Sequence, residues 1–265
     1  MIETGKTKLN SNLRIGRRIY HLESVTSTNS ALVNRVEEAK ELPAISIPEG
    51  TVLRADEQTA GRGRMNRVWQ SPLGKGLWFS AYLRPELELS RVHLITFLAA
   101  VAVADAVRNT FKMRPEIKWP NDVLLEKRKF CGILTETRSE KNLLDFAILG
   151  IGVNLNQSEA ELNSSYGPNA TSLRIVLGRE IEADPLFTAI LEQLNEYYEA
   201  LKAKRFDFIL NKWKEHTSFF GKSVSLVGDN EEISGVARDL DEKGGIILEL
   251  EDGKERVFYT GSLYY

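Results

Sequence analysis

The sequence predicts an α+β protein, with an antiparallel or mixed sheet in a main domain over residues 1–217 and a small β-barrel over residues 218–265. Three observations carry this expectation. Four strand-like runs between residues 116 and 156, "EIKWP", "VLLEK", "KFCGILTET" and "LDFAILGIGVNL", follow one another with short turns, too closely for crossover helices between them. Two stretches, 91–111 and 184–217, read as helix, the second broken near Lys204. From Phe219 onward "KSVSLVG", "EEISGVARDLD", "GGIILEL" and "KERVFYTG" alternate with Gly, Asp and Asn turns, as in a barrel of roughly fifty residues.

The elements follow in order. Ser27 and Thr28 are candidate caps for a helix over 28–42, with Leu32, Val36 and Ala39 at helical spacing. "GTVLRADEQ" reads as a strand, and "GLWFSAYL" as the next, its aromatic content favouring sheet. Between them runs a glycine- and arginine-rich loop from residue 58 to 75. The small residues of the 91–111 helix permit close packing on a sheet. The main domain is expected to end near Ser218.

At 265 residues and 42% hydrophobic content the chain can bury one core and a small satellite. A net charge of -2 and a pI near 6.1 give no global reason to expect DNA or a membrane as partner. The N-terminus is polar and lacks the apolar run of a secretory signal, and "LITFLAAVAVADAV" is interrupted by Asp105 before it reaches membrane-spanning length. A cytoplasmic protein is expected. The single cysteine, Cys131, reads as structural, and His21, His93 and His216 have no metal-ligand spacing.

Chemistry concentrates in "DEQTAGRGRMNRVWQSPLGKG". Glycines let backbone approach a ligand, and the guanidinium forks of Arg62, Arg64 and Arg67 suit carboxylate or phosphate oxygens. The stretch is neither a P-loop nor GxGxxG, so phosphate binding, an RNA contact and a plain basic loop all stay open. "KWPNDVLLEKRKFCGILTE" adds a turn at Pro120 and Asn121 beside Lys118, Asp122 and Lys129. Asp122 suits a magnesium–phosphate unit and the lysines suit developing negative charge, against the alternative of a solvated hairpin rim. In "LGIGVNLN", Gly150 and Gly152 weaken a strand unless something approaches closely, and Asn154 and Asn156 sit at its end.

Together, "STN" at 27–29, "QTAGRGRMNRVWQSPLGKGLWFS" from Gln58, "KWPNDV" from Lys118, "KFCGIL" from Lys129 and "LGIGVNLN" from Leu149 resemble the biotin protein ligases. The resemblance runs from about residue 18 to the end. It implies a mixed-sheet catalytic domain related to lipoate ligases, followed by an SH3-like barrel. It also implies activation of biotin by Mg2+ and ATP to biotinyl-5'-AMP, then transfer to a lysine of a biotin carboxyl carrier domain of a biotin-dependent carboxylase.

By the same resemblance, Ser27, Thr28 and Gln58 meet the ureido end of biotin, with Asn29 completing that motif and Gly132 and Gly150 lining the pocket. Arg62 and Arg64 clamp carboxylate and phosphate while Gly61 and Gly63 let the loop close. Arg67 and Trp69 lie on the nucleotide side, Lys129 contacts both anions, and Lys118 supports charge balance. Asn121 and Asp122 sit at the phosphates, with Asp122 toward the metal, and Asn154 lies near the nucleotide. Asp122 is also the candidate to accept the proton of the acceptor lysine. The family-like sequence begins within about twenty residues, so no N-terminal DNA-binding domain is expected, and monomer and homodimer both remain open. The usual acidic residue near the family C-terminus is absent from "VFYTGSLYY". Lipoate or octanoate ligation is the neighbouring alternative; a non-catalytic biotin or nucleotide binder and a nucleic-acid module are the distant ones.

Overall fold

A computed structural model describes residues 13–41, 47–65, 67–228 and 231–265. The first twelve residues, on which much of the leader argument rests, and Leu42, the expected end of the first helix, lie outside the described residues. Strands β1 (Ile19–Val25) and β2 (Val52–Gln58) pair in parallel across helix α1 (Thr28–Glu41). The other pairings of the main sheet are antiparallel: β3 (Gly76–Leu83), β4 (Glu116–Lys118), β5 (Asp122–Leu125), β6 (Arg128–Glu140) and β7 (Leu143–Asn154), in the order β1-β2-β3-β7-β6-β5-β4. The short turns after residue 116 require the antiparallel part, and the parallel β1–β2 pair makes the sheet mixed.

Its two faces are covered differently. On one face α2 (His93–Phe111) is buried almost all round, because α5 (Ala183–Lys202) and α6 (Phe206–Glu215) close over it. With the turn before it, this helix is long and apolar enough to cross a membrane, but 72% of that window is buried inside the molecule. On the other face α1 packs Leu32 and Val36 on Tyr20, Leu53, Tyr82, Phe146 and Ile148. Strand β7 shows the division at single-residue spacing. Ala147, Leu149, Ile151 and Val153 enter the α2 core, whereas Phe146 and Ile148 face α1. Gly150 and Gly152 continue that second face where α1 begins, and their missing side chains leave room over the sheet.

Lys204 has φ of 57° and separates α5 from α6, where the break in the long helical run was expected. Strand β1 and the short helices α3 (Glu159–Tyr166) and α4 (Leu173–Leu177) were not anticipated. Strand β1 is mostly polar or half-exposed, and the helices lack a long apolar period.

The expected SH3-like barrel is corrected. Strands β8 (Ser223–Val227), β9 (Glu232–Leu240), β10 (Ile246–Glu249), β11 (Glu255–Phe258) and β12 (Ser262–Tyr264) form an open antiparallel sheet in the order β11-β10-β9-β8-β12. Among the described residues its two edge strands, β11 and β12, do not pair, so the sheet does not close. The physical reason lies in where its apolar face goes. Val224, Leu226, Ala237, Ile246, Leu248 and Leu263 belong to the same continuous core as Phe97 and Trp213, so this face is buried without the sheet having to close.

Candidate functional site

A cavity of about 800 Å³ opens where the start of α1, the 59–75 loop, the glycines of β6 and β7, the 119–122 turn and the last strand meet. Its polar end is built by α1. The Thr28 N–H and hydroxyl both donate to Gln58 Oε1, at 2.8 and 3.1 Å. Gln58 Nε2 donates to Ser71 Oγ at 2.8 Å, tying the end of β2 to the far limb of the loop. Buried Ser80 lies 2.7 Å from Thr28 Oγ1 and 2.5 Å from Asn29 Oδ1. Asn29 rests directly on Gly150, where a Cβ would meet its Oδ1 at 2.2 Å.

The arginine-rich loop is a folded hairpin-like arm. Trp69 N donates to Gly61 O at 2.9 Å, Gly63 N donates to Arg67 O at 2.7 Å, and Arg62 bridges to Val68. Gly61 is required here, since a Cβ would come within 2.2 Å of the Trp69 carbonyl oxygen. The arm lays the Trp69 ring over Gly132 and Gly152, which are register partners in β6 and β7. Added Cβ atoms would reach the ring at 2.9 and 2.5 Å respectively, so the two glycines form its seat.

The other end of the cavity is cationic. Among the described residues, seven Lys and Arg side chains line the whole against one acid, Asp122. Lys129 Nζ lies 2.6 Å from Asp122 Oδ1 and 5.1 Å from the Trp69 ring centre. Arg64 donates to Asn121 Oδ1 at 2.9 Å and to Gly261 O at 3.3 Å, bridging the two sheets. Asn121 in turn donates to Ile133 O at 2.8 Å, and the Trp119–Pro120 peptide of its turn is cis. Burial pushes the Arg64 pKa down, with Asp122 opposing and Arg67 adding to the shift. Burial likewise lowers Lys118, against Asp122 and with Lys129 and Arg67. A cavity that keeps several desolvated cations close together is preset for a polyanion.

Of the residues singled out in the sequence, Ser27, Thr28, Asn29, Gln58, Arg62, Gly63, Arg64, Arg67 and Trp69 all line this one cavity, as do Lys118, Asn121, Asp122, Lys129, Gly132, Gly150 and Asn154. Gly61 does not; it shapes the arm. Asn154 is buried, donating to Thr171 O at 3.1 Å and accepting from Gln157 Nε2 at 3.0 Å. Buried Cys131 faces the α2 core, where desolvation raises its thiol pKa, consistent with a structural residue. Sequence reasoning missed Ser80, whose signal was a lone polar residue in an apolar strand. Lys222, Tyr264 and Tyr265 were also missed, since their approach to the cavity is a tertiary fact.

A model of the biotin/lipoate A/B protein ligase family matches residues 22–154, and one of the biotin protein ligase C-terminal domain matches residues 219–263. The bifunctional ligase/repressor BirA of Bacillus subtilis is 33% identical over 248 residues, covering 94% of this chain and 76% of that protein. The biotin–[acetyl-CoA-carboxylase] ligase of Mycobacterium tuberculosis is 29% identical over 248 residues, covering 90% and 85%. Among solved structures, the biotin protein ligase from Aquifex aeolicus in complex with biotin and ATP is similar at a TM-score of 0.76 and 30% identity. That match covers 94% of this chain and 98% of the other.

Proposed function

The chain belongs to the biotin/lipoate A/B protein ligase family, and on that premise we propose that it is a biotin protein ligase acting on a biotin carboxyl carrier protein. The observation that carries the reading is the single cavity joining a hydrogen-bonding end at Thr28 and Gln58 to a cationic end at Arg64, Lys118 and Lys129. Biotin has that polarity, with a ureido ring at one end and a carboxylate at the other, and ATP brings the polyanion.

In the first half-reaction a biotin carboxylate oxygen attacks the α-phosphorus of MgATP. The bond to the β-phosphate bridging oxygen breaks, giving biotinyl-5'-AMP and pyrophosphate. Two anions must meet, and Arg62, Arg64 and Lys129 lower their repulsion and hold the reacting atoms in line. Magnesium, bound with the nucleotide, would supply charge neutralisation at the phosphates. Among the described residues no group of three or more His, Cys, Asp or Glu side chains could hold it alone. Asp122 and the turn at Asn121 fit an ion that takes one carboxylate, phosphate oxygens and water. Trp69 covers the mixed anhydride and keeps water from it. In the second half-reaction a neutral carrier lysine attacks the acyl carbon, AMP leaves, and the amine proton is lost, with Asp122 the proposed acceptor. The same reading puts the reaction in the cytoplasm, in a monomer or a homodimer.

Mass spectrometry of a biotin carrier domain incubated with the protein, MgATP and either biotin or lipoate tests the reading. One biotin added at one lysine is expected, with no lipoate adduct; pyrophosphate release with lipoate alone would replace this reading by the lipoate one. An Asp122→Asn enzyme given preformed biotinyl-5'-AMP is expected to transfer it more slowly than the unaltered enzyme. An unchanged transfer rate would remove Asp122 as proton acceptor.

A further inference from the structure

Glu136 lies outside the cavity lining, yet it touches two groups that act inside it. It belongs to β6, on the same face as Gly132 and Leu134 by the two-residue strand period. Its Oε2 accepts from Arg62 Nη2 at 2.7 Å and from Asn29 Nδ2 at 2.8 Å. An ionised carboxylate only accepts hydrogen bonds, so it decides which way the Asn29 amide points. Nδ2 turns to Glu136 and Leu134 O, and Oδ1 is left facing the Ser80 hydroxyl beside Thr28. Arg62 is about half exposed and has few constraints of its own; one corner of its guanidinium is fixed by Glu136 while its other N–H donors remain for a ligand.

We propose that Glu136 is a positioning residue for acid activation, its one carboxylate oxygen fixing the Arg62 guanidinium and the Asn29 amide side by side at the start of α1. The role rests on the biotin ligase reading above. Its chemistry is electrostatic: an acid placed behind an arginine orients that arginine toward an incoming anion without meeting the anion itself. A carboxylate that served only to hold the fold together would not change how the enzyme distinguishes an acid from its uncharged analogue.

The test is a double-mutant cycle on the full chain with Glu136→Gln and Arg62→Ala, reading pyrophosphate release at saturating MgATP against biotin concentration. Thermal melting controls for folding. Glutamine keeps the size and an acceptor oxygen but removes the charge. In Glu136→Gln the KM for biotin is expected to rise about ten- to hundredfold with kcat changed less than about threefold, the size of one charge-assisted hydrogen bond. In the Arg62→Ala background the same substitution is expected to change the KM by less than about twofold, because the residue it acts through is gone. Binding of biotinol, which lacks the carboxylate, is expected to be nearly unaffected. An active wild type with an unchanged Glu136→Gln KM, or an equal KM effect in both backgrounds, overturns the role of Glu136 alone. A wild type that releases no pyrophosphate with biotin overturns the ligase reading and this role with it.

Discussion

Gly152 gives the Trp69 ring its seat, because no side chain stands between the indole and the sheet. In Gly152→Ala the new methyl would sit 2.5 Å from Trp69 Nε1, and the ring must lift. The melting temperature is expected to stay within about 3 °C, since the displaced group is half-exposed on a loop. Biotinyl-5'-AMP, followed by chromatography without acceptor, is expected to hydrolyse several-fold faster; an unchanged lifetime would show that Trp69 does not cover the anhydride. Lys118 gives a second residue-scale prediction. Its lowered pKa means the folded state holds that proton less tightly than the unfolded chain does, so charged Lys118 costs stability at neutral pH. That cost fades as pH rises through the depressed folded value toward the ordinary 10.5. Lys118→Met is therefore expected to melt no lower than wild type at pH 7 while activating biotin more slowly. The Tyr264 ring 4.7 Å from the ammonium offsets only part of the burial. A clear fall in melting temperature would contradict this. The arginines and lysines of the site were legible because their type and density are unusual for a surface loop. Glu136 was not, because its importance comes from two partners 74 and 107 residues away in the chain.

At the scale of elements, the helical layer is pinned by one buried acid. Asp105 of α2 is 3% exposed, accepts from Tyr197 OH of α5 at 2.5 Å, and pairs with His216 Nε2 just beyond α6 at 2.9 Å. Desolvation raises its pKa, but the bonds from His216 and Tyr197 and the charges of His216 and Arg108 outweigh that and leave it lowered. A lowered carboxylate pKa contributes stability above the unfolded value, and this is lost as pH falls through the folded one. Asp105→Ala strands the groups of three helices and is expected to cost about 3–5 kcal/mol in urea unfolding. The deficit is expected to shrink as pH falls below about 4, where the unfolded chain begins to take up the proton, and to vanish only below the lowered folded value. A loss under about 1 kcal/mol at pH 7 would show the network to be dispensable. In the sequence Asp105 was visible only as an interruption of an apolar run. Elements with a long, clean period, α2, α5 and β7, were legible, whereas β1, α3 and α4 owe their existence to neighbours that supply pairing or burial.

Across the whole molecule, the C-terminal strands were read correctly one by one, apart from β12, but their closure was not. The alternation of a strand shows that it has an apolar face without showing what covers it. Here Phe97 of α2 stacks on Trp213 at 4.6 Å, Trp213 meets Phe219 edge-on at 6.1 Å, and the apolar face of the small sheet continues the same core. Arg64 reaching Gly261, and Trp119 Nε1 donating to Gly244 O at 3.1 Å, fasten the small sheet to the walls of the cavity. A unit whose apolar face is shared has little stability to call its own, so unfolding it exposes Phe97 and Trp213 and weakens what remains. Calorimetry of the ligand-free chain is therefore expected to give one transition, with van't Hoff and calorimetric enthalpies in agreement. Biotin with a non-hydrolysable ATP analogue should raise that transition as a whole, because the ligand contacts residues of both sheets. Two resolved transitions, with only the higher one moved by ligand, would mean that the small sheet folds and melts apart from the cavity it helps to wall.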